Sequence, residues 1–164
     1  MDQLELVIPR PPEPAPPEVE WRYCSEEAYE TYEQGWKRSR QEDAGIDLRI
    51  LEAVELSPGE TRLTGTGIAI NITEETVCAV ILPRSGHGLK GLSLGNTMGL
   101  IDCGYQGELK LALYNRTQRP LTLEAGERVA QLLFLPVLRP HLTQVRRFEM
   151  SPRGARGFGS SGKL

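Results

Sequence analysis

The sequence predicts an all-β fold, a compact antiparallel sandwich or barrel with one appended helix, and three observations predict it. From Asp43 onward the chain falls into short apolar segments at fairly regular spacing, separated by turn signals. In GELKLALYN (107–115), Leu109, Leu111 and Leu113 fall on one face and Lys110 and Tyr114 on the other, the period of a half-buried strand. No long helical pattern recurs between the segments, which argues against a parallel sheet. With 164 residues, 39% of them hydrophobic, the chain fits a single domain, 1–164, around one core.

LELVIP (3–8) reads as a short strand, and PRPPEPAPPE (9–18), with six prolines in ten residues, as an extended polyproline stretch or linker. Ser25 is a suitable N-cap, and Glu26 and Glu27 suit the positive end of a helix dipole. Tyr29, Tyr32 and Trp36 follow at i, i+3 and i+7, with Lys37 and Arg38 at the far end, so the pattern predicts a helix over 25–38, weakened at Gly35. Predicted strands then run through IDLRI (46–50), AVEL (53–56), TGIAIN (66–71), TVCAVIL (76–82, ended by Pro83), GELKLALYN, PLTLE (120–124), RVAQLLFLP (128–136) and HLTQVRRF (141–148). SPGE (57–60) and EAGE (124–127) are turns. The tail SPRGARGFGSSGKL (151–164) is too rich in glycine to bury an apolar surface, and is expected to be a flexible arm.

A net charge of −3 provides no broad basic surface, which argues against non-specific nucleic-acid binding. Cys24, Cys78 and Cys103 are odd in number and form no CxxC pair, and read as reduced thiols of a cytoplasmic protein. There is no leader pattern and no apolar run of membrane-spanning length, so no membrane association is expected.

Three stretches carry chemistry. In LPRSG (82–86), Arg84, Ser85 and the backbone of Gly86 set charged, hydroxyl and N–H donors side by side, an anion-binding arrangement, although the stretch alone also suits a polar turn. GLIDCGYQG (99–107) places Asp102 beside Leu100 and Ile101, where a carboxylate can be partly desolvated as a general base requires; alone, it reads as an Asx-type turn. RGARGFGSSG (153–162) offers Arg153, Arg156, Ser160 and Ser161 around Phe158, with glycines that let backbone N–H groups approach phosphates and a ring that can stack on a base; alone, it suits a disordered tail equally. Together they point to a nucleoside polyphosphate.

Five segments, AGIDL (44–48), PRSG (83–86), LGNTMGLIDCGYQGEL (94–109), GERVAQLLF (126–134) and RGARGFGSSG, resemble the five motifs of the homotrimeric dUTPases, in that family's order and over about three quarters of the chain. The resemblance implies a jelly-roll-like domain that hydrolyses dUTP to dUMP and pyrophosphate with Mg²⁺, limiting uracil incorporation into DNA and supplying dUMP for dTMP synthesis. It implies that Asp102 activates a water for attack on the α-phosphorus, and that Tyr105 packs under the deoxyribose where a 2′-hydroxyl would sit. Asn96 and the backbone of Gly99, Leu100 and Ile101 would read the uracil edge, with Lys110 bordering the substrate. Arg84, Ser85 and Gly86 would hold phosphates from a neighbouring subunit, and Asp47 and Gln131 would support the water shell of a Mg²⁺ held mainly by the phosphates. The arm would close over a site on another subunit, with Phe158 on the uracil, Arg153 and Ser160 on the γ-phosphate, and Gly159 between them.

The chain departs from the family pattern at Gly104, His87 and Arg156, and most of all in the insert over 9–42, which would pack on the trimer surface or bind a protein partner. His87 and His141 lack metal or triad spacing and read as surface or structural. A dCTP deaminase shares the fold and the RS-type loop, and a dUTPase-fold regulator acting through the insert is a second alternative. Asp102 with Tyr105 and the intact arm favour the hydrolase.

Overall fold

The computed structural model describes residues 16–33 and 35–156, so the expected strand at 3–8 and the proline stretch up to Ala15 lie outside the described residues. In chain order the elements are β1 (Val19–Tyr23), α1 (Glu26–Thr31), β2 (Ile46–Arg49), β3 (Val54–Leu56), β4 (Thr61–Ile72), β5 (Val77–Pro83), α2 (Ser85–Leu89), β6 (Leu92–Leu94), β7 (Gly99–Ile101), β8 (Glu108–Asn115), β9 (Leu121–Leu123) and β10 (Arg128–Pro136). They form two four-stranded sheets, ordered β1-β4-β8-β6 and β2-β10-β5-β7, and a two-stranded β3-β9 pair. Every pairing is antiparallel. The all-β expectation holds.

Both sheets contribute to one apolar core. Leu109, Leu111 and Leu113 of β8 are buried, as the alternation predicts, with Ile68 and Ile70 of β4, Ile81 of β5 and Leu132 of β10, while Lys110 is exposed. The predicted turns close through Glu60 N–H to Ser57 O at 3.0 Å and Glu127 N–H to Glu124 O at 3.1 Å. Buried Asn115 donates Nδ2–H to Leu56 O (3.0 Å) and Arg119 O (2.7 Å), tying β8 to the β3-β9 pair.

Two expectations need correction, and one strand was not foreseen. The helix is α1 alone: Ser25 Oγ caps Ala28 N–H at 3.2 Å as predicted, but Tyr32 leaves helical geometry and Gly35 has φ +80°. The aromatic spacing marks burial, not a continuous helix, since Tyr32 and Trp36 pack into the core while Tyr29 is exposed. Residues 141–148 form no strand; HLTQVRRF is exposed, because no edge within the described residues pairs with it. Strand β1 was not predicted, because its sequence, VEWRY, follows the proline stretch and its partner β4 begins 38 residues past the end of β1.

The part of the insert that the structure describes is built into the domain. β1 pairs with β4 from Val19↔Ile72 to Tyr23↔Ile68. Trp21 and Trp36 meet edge to face with ring centroids 5.6 Å apart, and Tyr23 lies 6.2 Å from Tyr32. Helix α1 docks where the β4 register shifts between Gly65 and Ala69. Gly67, at φ +70°, lets fully buried Ala28 come in contact there; a side chain at 67 would collide with it.

Candidate functional site

Pro83 ends β5, and Arg84 turns the chain in extended geometry into the single turn of α2. The Arg84 N–H donates to Val129 O at 3.1 Å, fixing this corner against β10. On the neighbouring β2, Asp47 stands directly opposite Gln131 of β10. Its carboxylate takes Arg84 Nε on Oδ1 at 3.1 Å and Arg128 Nη1 on Oδ2 at 3.1 Å, holding two guanidinium groups side by side. A cleft of about 480 Å³ is lined by Asp47, Arg84, Ser85, Arg128 and Gln131 together with Ser39, Arg40 and residues 43–45. Gly45 lets the Gln131 side chain lie close over it: a Cβ there would stand 2.6 Å from Gln131 Oε1. Gly86, in the first turn of α2, has open space around its Cα. Asp47, Arg84, Ser85 and Gln131, predicted separately, are thus brought together, and Gly86 adjoins them.

The insert buttresses this cleft. Trp36 Nε1–H donates to Asp47 O at 3.0 Å, and Ser39 Oγ–H to Asp47 Oδ2 at 3.3 Å. Tyr32 Oη accepts the Arg49 N–H at 2.9 Å, and burial pushes its pKa up to about 12. His87 Nε2 lies 3.4 Å from Glu127 Oε1, a structural contact as expected. Sequence reasoning missed the roles of Arg128, Trp36 and Ser39. The only available signal was Arg128 inside GERVAQLLF, since contacts across 81 residues leave no spacing to read.

A second group lies on β7 and the turn after it. Asn96 sits exposed on the turn between β6 and β7, where Thr97 takes φ +65° and donates its N–H to Leu94 O at 2.9 Å. β7 is an edge strand, bonded to β5 on one side, so Gly99, Leu100 and Ile101 present a backbone edge free of strand partners among the described residues. After Asp102, Gly104 N–H reaches Ile72 O at 3.0 Å, and Tyr105 Oη–H donates to Glu108 O at 3.0 Å, leaving its ring 45% exposed. Asp102 is exposed, which corrects the expectation of partial desolvation within the chain: Leu100 beside it points outward, 58% exposed. Lys110 stands on the solvent face of β8, opposite Gly65.

The two groups do not meet in one chain. β7 pairs Ile101 with Ala79 and Gly99 with Ile81, so Asp102 lies toward the start of β5 while Arg84 follows its end. Six residues of extended strand separate the two positions, roughly 20 Å at about 3.3 Å per residue. Arg153 lies in an exposed turn, its Nε–H on Arg156 O at 3.2 Å; Phe158, Gly159 and Ser160 lie outside the described residues.

The sequence model of the dUTPase family matches residues 32–162. The deoxyuridine 5'-triphosphate nucleotidohydrolase of Serratia proteamaculans is 53% identical over 123 residues, which cover 73% of this chain and 81% of that protein. The enzyme of the same description from Shewanella denitrificans is 53% identical over 122 residues, covering 73% and 80%. Among solved structures, the dUTPase of Staphylococcus bacteriophage 80alpha with dUPNHPP superposes with a TM-score of 0.76 at 29% identity, covering 88% of this chain and 98% of that one. A mutant dUTPase of phage phi11 of S. aureus, described with a coordinated structural Mg(II) ion, superposes at 0.70 with 27% identity, covering 81% and 99%.

Proposed function

This chain belongs to the dUTPase family and is a dUTP nucleotidohydrolase, and from that premise we propose how its residues divide the work between subunits of a homotrimer. The observation that carries the proposal is the separation of roughly 20 Å along β5 between the backbone positions of Asp102 and Arg84, which favours drawing the two groups of one site from different chains. One subunit supplies the hairpin from Asn96 to Lys110. There Asp102 takes the proton of a water that attacks the α-phosphorus in line with the departing pyrophosphate, giving dUMP. The free backbone edge at Gly99–Ile101 and the Asn96 amide read the uracil edge, the half-exposed Tyr105 ring underlies the deoxyribose, and Lys110 borders the substrate. The exposure of Asp102 in the single chain fits a group that is covered only when a neighbour docks.

A second subunit supplies Arg84, Ser85 and the Gly86 N–H to the phosphates, with Asp47 presetting the Arg84 guanidinium. The third supplies the arm, with Phe158 on the uracil, Arg153 and Ser160 on the γ-phosphate, and Gly159 allowing close backbone approach. The residues fit Mg²⁺ held chiefly by the phosphates. Both oxygens of Asp47 already engage guanidinium groups, so Asp47 and Gln131 would reach the ion through water, and no three His, Cys, Asp or Glu side chains converge among the described residues. When bound, the ion supplies charge neutralisation on the polyphosphate. Cys24, Cys78 and Cys103 are all free thiols, and no helix among the described residues is long and apolar enough to cross a membrane; the thiols support a cytoplasmic setting.

Subunit complementation tests the sharing. Asp102→Asn and Arg84→Ala should each be nearly inactive as pure proteins. Co-assembled in equal amounts, they should recover about a quarter of wild-type activity, because a shared site then draws both intact groups from different chains at random. A mixture as dead as its components would show that Asp102 and Arg84 serve the same chain.

A further inference from the structure

We infer that Arg40, on the insert loop leading into β2, is a further substrate-binding residue that contacts the polyphosphate of the nucleotide, an inference that rests on reading the Arg84 cleft as the phosphate side of the site. Arg40 lines that cleft with Arg84, Ser85, Arg128 and Gln131. The loop carrying it is held in place. Buried Trp36 is tied by its indole N–H to Asp47 O at 3.0 Å, and Ser39 by its hydroxyl to Asp47 Oδ2 at 3.3 Å. Asp43 closes the turn from the other side, accepting the Arg40 N–H on Oδ2 at 2.9 Å and donating its own N–H to Arg40 O at 3.2 Å. Arg40 therefore projects from a fixed backbone next to the very carboxylate that organises the cleft.

Charge separates Arg40 from its neighbours. Arg84 and Arg128 share the single carboxylate of Asp47, whereas the Arg40 guanidinium forms no ion pair among the described residues. The Asp43 oxygen that faces the loop is used on backbone N–H, not on the guanidinium. Three guanidinium groups thus stand against two carboxylates, those of Asp43 and Asp47, leaving the cleft with an excess positive charge at Arg40. A planar fork of N–H donors with no acceptor among the described residues, lining a cleft with a serine and a second arginine, matches phosphoryl oxygens in shape and charge. Because the loop backbone is already ordered, binding has only the side chain to immobilise. The insert thereby becomes part of the substrate site instead of an ornament on the domain.

The test uses the full chain with Arg40→Gln and Arg40→Lys beside Arg84→Gln. It measures kcat and KM for dUTP and the inhibition constants of inorganic pyrophosphate and of deoxyuridine, which has no phosphate. Arg40→Gln should raise KM and the pyrophosphate constant by about 5- to 10-fold. It should leave deoxyuridine inhibition and the thermal midpoint where they are, since Arg40 is exposed and supports no core contact. Arg40→Lys, which keeps the charge but not the fork, should recover part of the loss. The inference is overturned if Arg40→Gln leaves pyrophosphate inhibition unchanged while Arg84→Gln weakens it, because the loop is then only a wall. It is overturned equally if deoxyuridine inhibition weakens as much as that of pyrophosphate. Should Arg84→Gln also leave pyrophosphate binding untouched, the cleft does not hold phosphates, and the reading beneath the inference falls with it.

Discussion

At the scale of single residues, the sharpest assignment is Asp102, because an exposed carboxylate on a turn has no structural work to lose. Its side chain makes no hydrogen bond or ion pair among the described residues, so Asp102→Asn should leave folding and assembly as they are. The amide keeps the shape but cannot accept a proton. Turnover of dUTP should fall by about 10²–10⁴ while affinity for a non-hydrolysable analogue barely changes. Single-turnover kinetics beside analogue titration checks this, and wild-type turnover in the folded variant would remove Asp102 from the reaction. Asp47 is the contrasting case. Of the two carboxylates singled out from the sequence, it is the one tied down, by two arginines and a serine, and so it suits holding other groups in place.

At the scale of elements, what the sequence revealed depended on whether the signal was local. Strand β8 was legible because alternation is written into eight consecutive residues, and both turns because their hydrogen bonds span three. The AGIDL, PRSG and hairpin motifs were legible as a set by their order along the chain. What bound them into a cleft was not, since Asp47, Arg84 and Arg128 meet only through the β2-β10-β5 register. Strand β1 was hidden for the same reason, and α1 was overextended because aromatic spacing reports burial in helix and loop alike. The insert gives the element-scale prediction. The Tyr32 hydroxyl accepts the Arg49 N–H at the end of β2, so Tyr32→Phe leaves that donor unpaired, at a cost of about 1–2 kcal/mol. The same substitution changes the alkaline limb of stability. Burial raises the Tyr32 pKa from 10.0 to about 12, so its contribution is complete below pH 10 and is lost as pH rises through 12. Urea unfolding across that range should show a decline for the wild type that is shallower in Tyr32→Phe. Equal slopes in the two proteins would mean that Tyr32 titrates normally.

At the scale of the whole molecule, the proposed assembly can be tested on the segment after β10. Leu138, Leu142 and Phe148, large apolar side chains of the segment after β10, are 92%, 86% and 89% exposed. A second copy docking on this segment would remove that apolar surface from water. The glycine-rich arm beyond it, 151–164, has little apolar surface of its own. The two segments should therefore separate by truncation. Ending the chain after Met150 should keep the proposed three-chain particle by sedimentation, with an unchanged thermal midpoint in the absence of nucleotide. Its turnover should drop by roughly 10²-fold or more, because in the proposed site the arm's Arg153, Phe158 and Ser160 work on bound substrate and nowhere else. Replacing Leu138, Leu142 and Phe148 together by serine in the full chain should instead weaken assembly, making activity fall on dilution where the wild type holds steady. A truncated protein that hydrolyses dUTP at the full-length rate would make the arm a mere tail. A serine variant as trimeric and dilution-resistant as the wild type would show that those side chains dock on no neighbour.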